Sequence, residues 1–126
     1  MYAAGNAAPQ KSASLELLQR IQDGDVRAAS SAEVLQEILQ RYMAINRLKD
    51  GLTVYDLFRA LPLTWLAVDP DDVDLARHLL GTHPRISSRD ALHLAVMRRA
   101  KIRKIVTYDK GFLGIPQTTV CLPEQV

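Results

Sequence analysis

Short apolar segments rich in β-branched residues alternate with longer amphipathic segments along this chain. Strands that alternate with helices of this length predict βαβ units, which build a parallel sheet with right-handed crossovers. The pattern therefore predicts an α/β fold in which helix-like sequence comes first and the sheet contains four short strands. The predicted strands are Val26–Ala29, Thr64–Val68, Ile105–Tyr108 and Thr118–Leu122.

Side chains that can accept hydrogen bonds from backbone amides predict where the helices begin. Asp69 is a strong start, because Pro70 follows at the first helical position and two acids follow in the first turn. The spacing Thr53-x-x-Asp56 has the form of a capping box and predicts a short helix that begins there. One predicted helix is capped by Ser30 or Ser31 and has an apolar stripe that ends at Tyr42. The other predicted helices are Ser14–Ile21, Thr53–Leu61, Asp69–Gly81 and Ser87–Ala100.

Length and composition bound the class of protein. The chain has 126 residues, of which 48% are hydrophobic and 24% charged, so we expect a single globular domain spanning residues 1–126. Neither a membrane-spanning apolar run nor a signal-peptide pattern is present in the sequence. Cys121 is the only cysteine, which excludes an internal disulfide and a cysteine-based zinc cluster and favours a reducing cytoplasm. The net charge of +2 permits a nucleic-acid partner without requiring one.

Three acids are candidates for a site at one edge of the sheet. In open α/β sheets, ligands bind outside the carboxyl ends of the strands, and Asp109 directly follows the strand that ends at Tyr108. Glu37 lies about two turns into the helix after the first strand and about 60° from Val34 on a helical wheel, so it borders the apolar stripe. Asp90 begins the helix that precedes the Asp109 strand. A helix that precedes a strand begins at the opposite end of the sheet, so these considerations alone do not bring Asp90 to Asp109.

Each acid also has a purely structural interpretation. Asp90 could complete a capping box with Ser87, and Asp109 could be an ordinary turn residue. Glu37 could pair with Arg41 four residues later on a solvated helix face. Taken singly, each structural interpretation is the more common one.

A basic run follows the helix that Asp90 begins. These cations could complement the negative end of the helix dipole, or they could contact the phosphates of a nucleic acid. The run consists of Arg98, Arg99, Lys101, Arg103 and Lys104.

Three segments taken together resemble the successive motifs of the PIN-domain nucleases. They are Ser31–Leu39, Ser88–Ala95 and Ile105–Phe112, in the family's order, and the match is closest to the VapC-type toxins of toxin–antitoxin pairs. The resemblance implies a three-layer α/β/α fold with a short parallel sheet. It places the family's conserved glutamate at Glu37, its third acid at Asp90 and its fourth at Asp109, and it brings Asp90 to the metal site.

The resemblance also implies the chemistry and the partners. Catalytic acids Glu37, Asp90 and Asp109 would hold Mg²⁺ or Mn²⁺, and the bound metal would activate water to hydrolyse an RNA phosphodiester. The implied partners are an RNA substrate and a cognate antitoxin, in the cytoplasm and away from membranes. Dimerisation through the helices is compatible with the family.

One element of the family pattern has no counterpart in the sequence. Family members begin with a central strand that ends in an aspartate, whereas Met1–Gly5 resembles the segment just after that motif. We therefore expect a sheet without its N-terminal central strand, a fourth acid encoded before Met1, and weak or absent cleavage by residues 1–126 alone. The alternative is a catalytically dead PIN-like module that binds an antitoxin or RNA.

Overall fold

The computed structural model describes residues 8–126, with side chains from residue 11 onward. The chain divides into two compact units, one that ends at Leu66 and one that begins at Ala67. The first unit contains α1 (Ala8–Gln22), β1 (Ala29–Ser31), α2 (Ala32–Ala44), α3 (Leu48–Arg59) and β2 (Thr64–Leu66). The second contains α4 (Pro70–Thr82), α5 (Ser88–Arg99), β3 (Lys104–Val106), β4 (Thr119–Cys121) and the 3-10 turns Lys110–Phe112 and Pro123–Gln125. The single domain expected from length stays a prediction.

A helical hairpin accompanies the strand pair of the first unit. Strand β1 pairs in parallel with β2, with Ser30 opposite Trp65. Helices α2 and α3 pack together at a buried glycine, since a Cβ added at Gly51 would lie 2.5 Å from the Cβ of Tyr42. Helix α2 buries Ile38, at 2% exposure, as its apolar stripe predicts. Ser31 is the N-cap residue of α2, but its side chain makes no capping hydrogen bond.

The second unit has its core between α4, α5 and the Phe112 turn. Ala91 and Ala95 are completely buried one helical turn apart, and their small side chains allow the close approach of α4. Leu79 of α4 and Phe112 belong to the same buried cluster. The buried core therefore holds the start of α5 and the turn after β3 in fixed positions, which matters for the acids on both.

The helix start predicted at Asp69 is confirmed, and Asp69 forms a capping box with Asp72. The Asp69 side chain accepts hydrogen bonds from the amides of Asp71 and Asp72, while the Asp72 side chain accepts one from the Asp69 amide at 2.9 Å. Ser87 also caps as predicted, because its hydroxyl accepts a hydrogen bond from the Asp90 amide at 3.1 Å. Both helix starts thus follow from local chemistry.

Several boundaries differ from the predictions. The helix expected to begin at Thr53 begins at Leu48, and the Thr53 hydroxyl donates back to the Lys49 carbonyl inside α3, so the capping-box interpretation is wrong. The first strand lies at Ala29–Ser31, three residues later than predicted at its start. Within residues 8–126, the four strands form two parallel pairs rather than one continuous sheet.

None of the helices described between residues 8 and 126 is long and apolar enough to cross a membrane.

Candidate functional site

Asp109 lies at the carboxyl end of β3, at the edge where the strand order predicts it. Beyond Val106 the Thr107 amide still donates to the Cys121 carbonyl of β4, at 2.9 Å. The Asp109 amide then donates to the Thr107 hydroxyl at 2.9 Å, and one oxygen of its carboxylate, Oδ1, accepts from the Gly111 amide at 2.8 Å. The turn interpretation of Asp109 is therefore confirmed, and that turn also fixes the orientation of an exposed carboxylate.

Asp90 and Asp109 meet at Gly111. A Cβ added at Gly111 would lie 3.1 Å from Asp109 Oδ1 and 3.2 Å from Asp90 Oδ2. The two carboxylate oxygens are thus no farther apart than the sum of these distances. Helix and strand order alone did not predict this approach, but the family resemblance did.

Glu37 lies in the first unit, on α2. Its carboxylate is 3.7 Å from the Arg41 guanidinium four residues later, and its side chain is 20% exposed. The predicted pairing with Arg41 is confirmed. Across residues 8–126, no group of three or more His, Cys, Asp and Glu side chains is close enough to hold a metal ion. The three-acid metal set stays a prediction.

The guanidinium of Arg99, a member of the basic run, binds the Asp72 side chain and the Ala67 carbonyl. Its Nε donates to Asp72 Oδ1 at 2.6 Å, and its Nη2 donates to Asp72 Oδ2 at 2.9 Å and to the Ala67 carbonyl at 2.6 Å. Arg98 donates to the Pro116 carbonyl at 3.2 Å. These contacts give both arginines structural roles that the sequence did not reveal.

The remaining cations of the run are exposed. Lys101 follows α5 with a φ of 60°, and the amides of Lys101 and Ile102 donate back to α5 carbonyls, which ends the helix. Lys101, Arg103 and Lys104 all present exposed side chains. They are the members of the run available to contact phosphate.

A hydrogen bond between Tyr108 and Glu124 joins the turn after β3 to the turn after β4. The Tyr108 hydroxyl donates to Glu124 Oε2 at 2.6 Å. Burial and this bond to a carboxylate raise the pKa of Tyr108 to about 12. No local pattern predicts this contact, because Tyr108 and Glu124 follow different strands and lie 16 residues apart.

We expect Glu124→Gln to lower the pKa of Tyr108 from about 12 toward 10.0 without reaching it, since burial remains. An ultraviolet titration of tyrosinate, with Tyr108→Phe subtracted to isolate this phenol, measures the change. Because the folded pKa exceeds the unfolded one, the contribution to stability is present below pH 10.0 and is lost as the pH rises through about 12. An unchanged titration curve in Glu124→Gln would contradict the assignment.

The residues around Gly111 fit a hard divalent cation. Both acids offer carboxylate oxygens, the ligands that Mg²⁺ and Mn²⁺ prefer. Gly111 lies between the two carboxylates, because Asp109 Oδ1 and Asp90 Oδ2 are the atoms nearest to an added Cβ, and Gly111 itself is exposed to solvent. The exposed edge would allow the cation to keep several of its waters, as Mg²⁺ usually does.

Comparison with known proteins identifies the family. The PIN domain family model matches residues 1–116. The chain belongs to the PIN-domain family. It is 36% identical over 116 residues to VapC ribonuclease Mb1869c of Mycobacterium bovis and to Ribonuclease VapC13 of Mycobacterium tuberculosis, with 92% of this chain and 88% of each relative covered. Ribonuclease VapC23 of Mycobacterium tuberculosis is 36% identical over 109 residues, which cover 86% of both chains.

A solved structure has a fold similar to that of this chain. A chain of a toxin-antitoxin complex from Klebsiella pneumoniae superimposes with a TM-score of 0.60 over 95% of this chain and 88% of that chain, at 15% identity. At this identity the likeness concerns the fold alone. The predicted VapC-type, PIN-like α/β class is confirmed.

Proposed function

We propose that this PIN-domain protein is a metal-dependent endoribonuclease, the toxin component of a toxin–antitoxin pair, acting in the cytoplasm. The approach of Asp90 and Asp109 across Gly111 carries the proposal, because proteins usually hold Mg²⁺ through one or two carboxylates while the ion keeps several of its waters. The ribonuclease names of the relatives at 36% identity support the reaction class.

In this proposal Asp90 and Asp109 hold Mg²⁺ or Mn²⁺. When bound, the metal would lower the pKa of a water for attack on a phosphodiester and offset charge on the phosphate. The Gly111 amide holds the Asp109 carboxylate in place through its 2.8 Å hydrogen bond, so less ordering is needed when the metal binds. Glu37 is the proposed third acid, and its assignment rests on the family resemblance.

The exposed cations after α5 are proposed to contact the RNA backbone. Lys101, Arg103 and Lys104 follow α5 directly and offer charge to phosphate oxygens without base specificity. Arg98 and Arg99 were predicted for the same role, and we propose that they act indirectly, by holding the end of α5 in place. Each additional phosphate contact should steepen the salt dependence of RNA binding.

A protein antitoxin is the proposed regulatory partner. The structural neighbour comes from a toxin-antitoxin complex, and the relatives carry VapC names. A homodimer is a further proposal from the family resemblance. Size-exclusion chromatography with light scattering would measure the oligomeric state directly.

RNA cleavage by the full 126-residue chain tests the proposal. We expect cleavage in Mg²⁺ or Mn²⁺ that EDTA abolishes, because the metal would activate the attacking water. Asp109→Asn should reduce the rate by more than the roughly 10–100-fold typical of losing an outer-shell partner of a metal site. Asp71→Asn, which alters an exposed acid at the start of α4, is the matched control and should leave the rate unchanged.

Cleavage that persists in EDTA, or that survives Asp109→Asn, would contradict the proposal. Glu37→Gln and Asp90→Asn test the other two acids separately, with metal affinity as a second readout. Translating the DNA upstream of Met1 would show whether an apolar strand ending in Asp precedes it in frame. If it does, we expect the extended protein to cleave faster.

The alternative function is a PIN-like module that binds an antitoxin or RNA without cutting. The ion pair between Glu37 and Arg41 favours it, because it engages one of the three proposed metal ligands. Under this alternative, Glu37→Gln and Asp109→Asn leave partner binding intact, and no metal-dependent cleavage appears even in a protein extended upstream of Met1. Cleavage by the extended protein that Asp109→Asn abolishes would rule it out.

A further inference from the structure

Neither a positive φ nor close helix packing requires a glycine at position 111. The glycines with a positive φ among residues 8–126 are Gly24 and Gly114, so the backbone at Gly111 is one that other residues can adopt. Gly111 is also exposed and lies outside the α- and β-elements, so helix packing does not require it. The backbone conformation of the turn therefore does not require a glycine at this position.

A side chain at Gly111 would have little room on the face where the two acids approach each other. The nearest atoms to an added Cβ are Asp109 Oδ1 at 3.1 Å and Asp90 Oδ2 at 3.2 Å. These contacts are tighter than most real Cβ contacts, so each carboxylate would have to shift by a few tenths of an ångström. Both acids are short side chains anchored near the backbone, and Asp109 Oδ1 also accepts the Gly111 amide hydrogen bond at 2.8 Å.

We propose that Gly111 is a positioning residue of the metal site, which keeps Asp90 and Asp109 at the separation that a small divalent cation needs. The inference rests on the proposed metal-dependent function. A shift of a few tenths of an ångström has little effect on a solvent-exposed turn. It exceeds the roughly 0.2 Å tolerance expected of metal–ligand distances.

The choice of cation provides a signature that a merely structural role would not produce. Mg²⁺ demands near-ideal geometry at about 2.1 Å, whereas Ca²⁺ accepts longer and more variable distances. Displacing the two carboxylates should therefore weaken Mg²⁺ and Mn²⁺ binding more than Ca²⁺ binding. The ratio of the Mg²⁺ and Ca²⁺ affinities reports on the geometry of the acids rather than on the fold.

The test compares Gly111→Ala with the wild type by calorimetric titration of Mn²⁺, Mg²⁺ and Ca²⁺ into the full chain. We expect Gly111→Ala to lower the Mn²⁺ affinity by about tenfold or more, as the loss of an outer-shell partner of a metal site does. Gly111→Val should lower the Mn²⁺ affinity further. Melting temperatures of both variants should stay close to wild type. Gly81→Ala is the matched control, because its Cβ would meet only the Arg77 guanidinium at 4.0 Å; it should leave every affinity unchanged.

Different outcomes separate this inference from the proposed function. If the wild type binds no Mn²⁺, or binds it equally in Asp109→Asn, the metal site itself fails and the role of Gly111 fails with it. If the wild type binds and Asp109→Asn does not, while Gly111→Ala binds as the wild type does, only the role of Gly111 is overturned. It is also overturned if affinity falls only together with loss of the cooperative melting transition, or if Mg²⁺ and Ca²⁺ weaken equally.

Discussion

Arg99→Ala is expected to lower the free energy of unfolding by about 2–4 kcal/mol, because it leaves a buried carboxylate without its cation. The Asp72 side chain is only 1% exposed, and two Arg99 nitrogens bind its two oxygens at 2.6 and 2.9 Å. The same guanidinium satisfies the Ala67 carbonyl. We place the effect toward the lower part of the range for broken buried pairs, since the Arg99 side chain is 41% exposed and water can partly replace it.

Chemical denaturation monitored by circular dichroism measures this loss. Arg77→Ala is the control, because it removes an exposed arginine from α4 and should change stability by less than about 0.5 kcal/mol. Arg99→Lys keeps the charge but cannot donate from two nitrogens to the two Asp72 oxygens. Its free energy of unfolding should therefore lie between those of Arg99→Ala and the wild type. A loss in Arg99→Ala no larger than in Arg77→Ala would show that the ion pair contributes little.

The pH dependence provides an independent check on the same pair. The hydrogen bonds from Arg99 hold the pKa of Asp72 below its usual value, against the opposing effect of burial. Because the folded pKa is depressed, the contribution to stability is fully present above the unfolded value of 3.8 and is lost as the pH falls through the folded value. We expect the wild type to lose its stability advantage over Arg99→Ala in this acid range.

The Asp72–Arg99 pair shows which features the sequence can and cannot predict. The capping box was predictable because Asp69 and Asp72 lie within one helical turn. The partner of Asp72 lies 27 residues away, and only packing of α4 on α5 brings them together. For the same reason, the basic run was interpreted as a complement to the helix dipole or a phosphate surface, and neither interpretation predicted that Arg99 binds Asp72.

In the candidate site too, the position of one acid was predictable from the sequence and the position of the other was not. Asp109 follows a strand, so its position at the sheet edge was predictable from topology. The approach of Asp90 depends on where α5 packs, which local patterns do not determine, and only the family resemblance implied it. The closeness of Gly111 to both carboxylates, without a positive φ that would require glycine, is visible only in three dimensions.

The start of α3 was mispredicted because the spacing Thr53-x-x-Asp56 has the form of a capping box, and because Gly51 just before it disfavours a helix. A glycine in a helix interior costs about 1 kcal/mol relative to alanine, so local propensity argues against a helix through it. The helix nevertheless runs from Leu48 through Gly51, which is buried against Tyr42 of α2. Tertiary packing has overridden the local preference.

Gly51→Ala is therefore expected to destabilise the protein, although alanine favours helices. The added Cβ would lie 2.5 Å from the Cβ and 3.0 Å from the Cγ of Tyr42. These atoms are anchored at the backbone, so α2 and α3 must separate instead of a side chain moving aside. Overpacking costs about 1–3 kcal/mol, while the gain in helix propensity is at most about 1 kcal/mol, so we expect a net loss of about 1–2 kcal/mol.

Thermal and urea unfolding of Gly51→Ala and Gly81→Ala separate the cost of overpacking from the gain in helix propensity. Gly81 lies in α4 with only a distant guanidinium near its added Cβ, so Gly81→Ala should be neutral or stabilising by up to about 1 kcal/mol. Gly51→Val should destabilise more than Gly51→Ala. Tyr42→Ala should not rescue Gly51→Ala, because alanine retains the Cβ that is 2.5 Å away. If Gly51→Ala were as stable as Gly81→Ala, the close contact between α2 and α3 would not be a feature of the folded protein in solution.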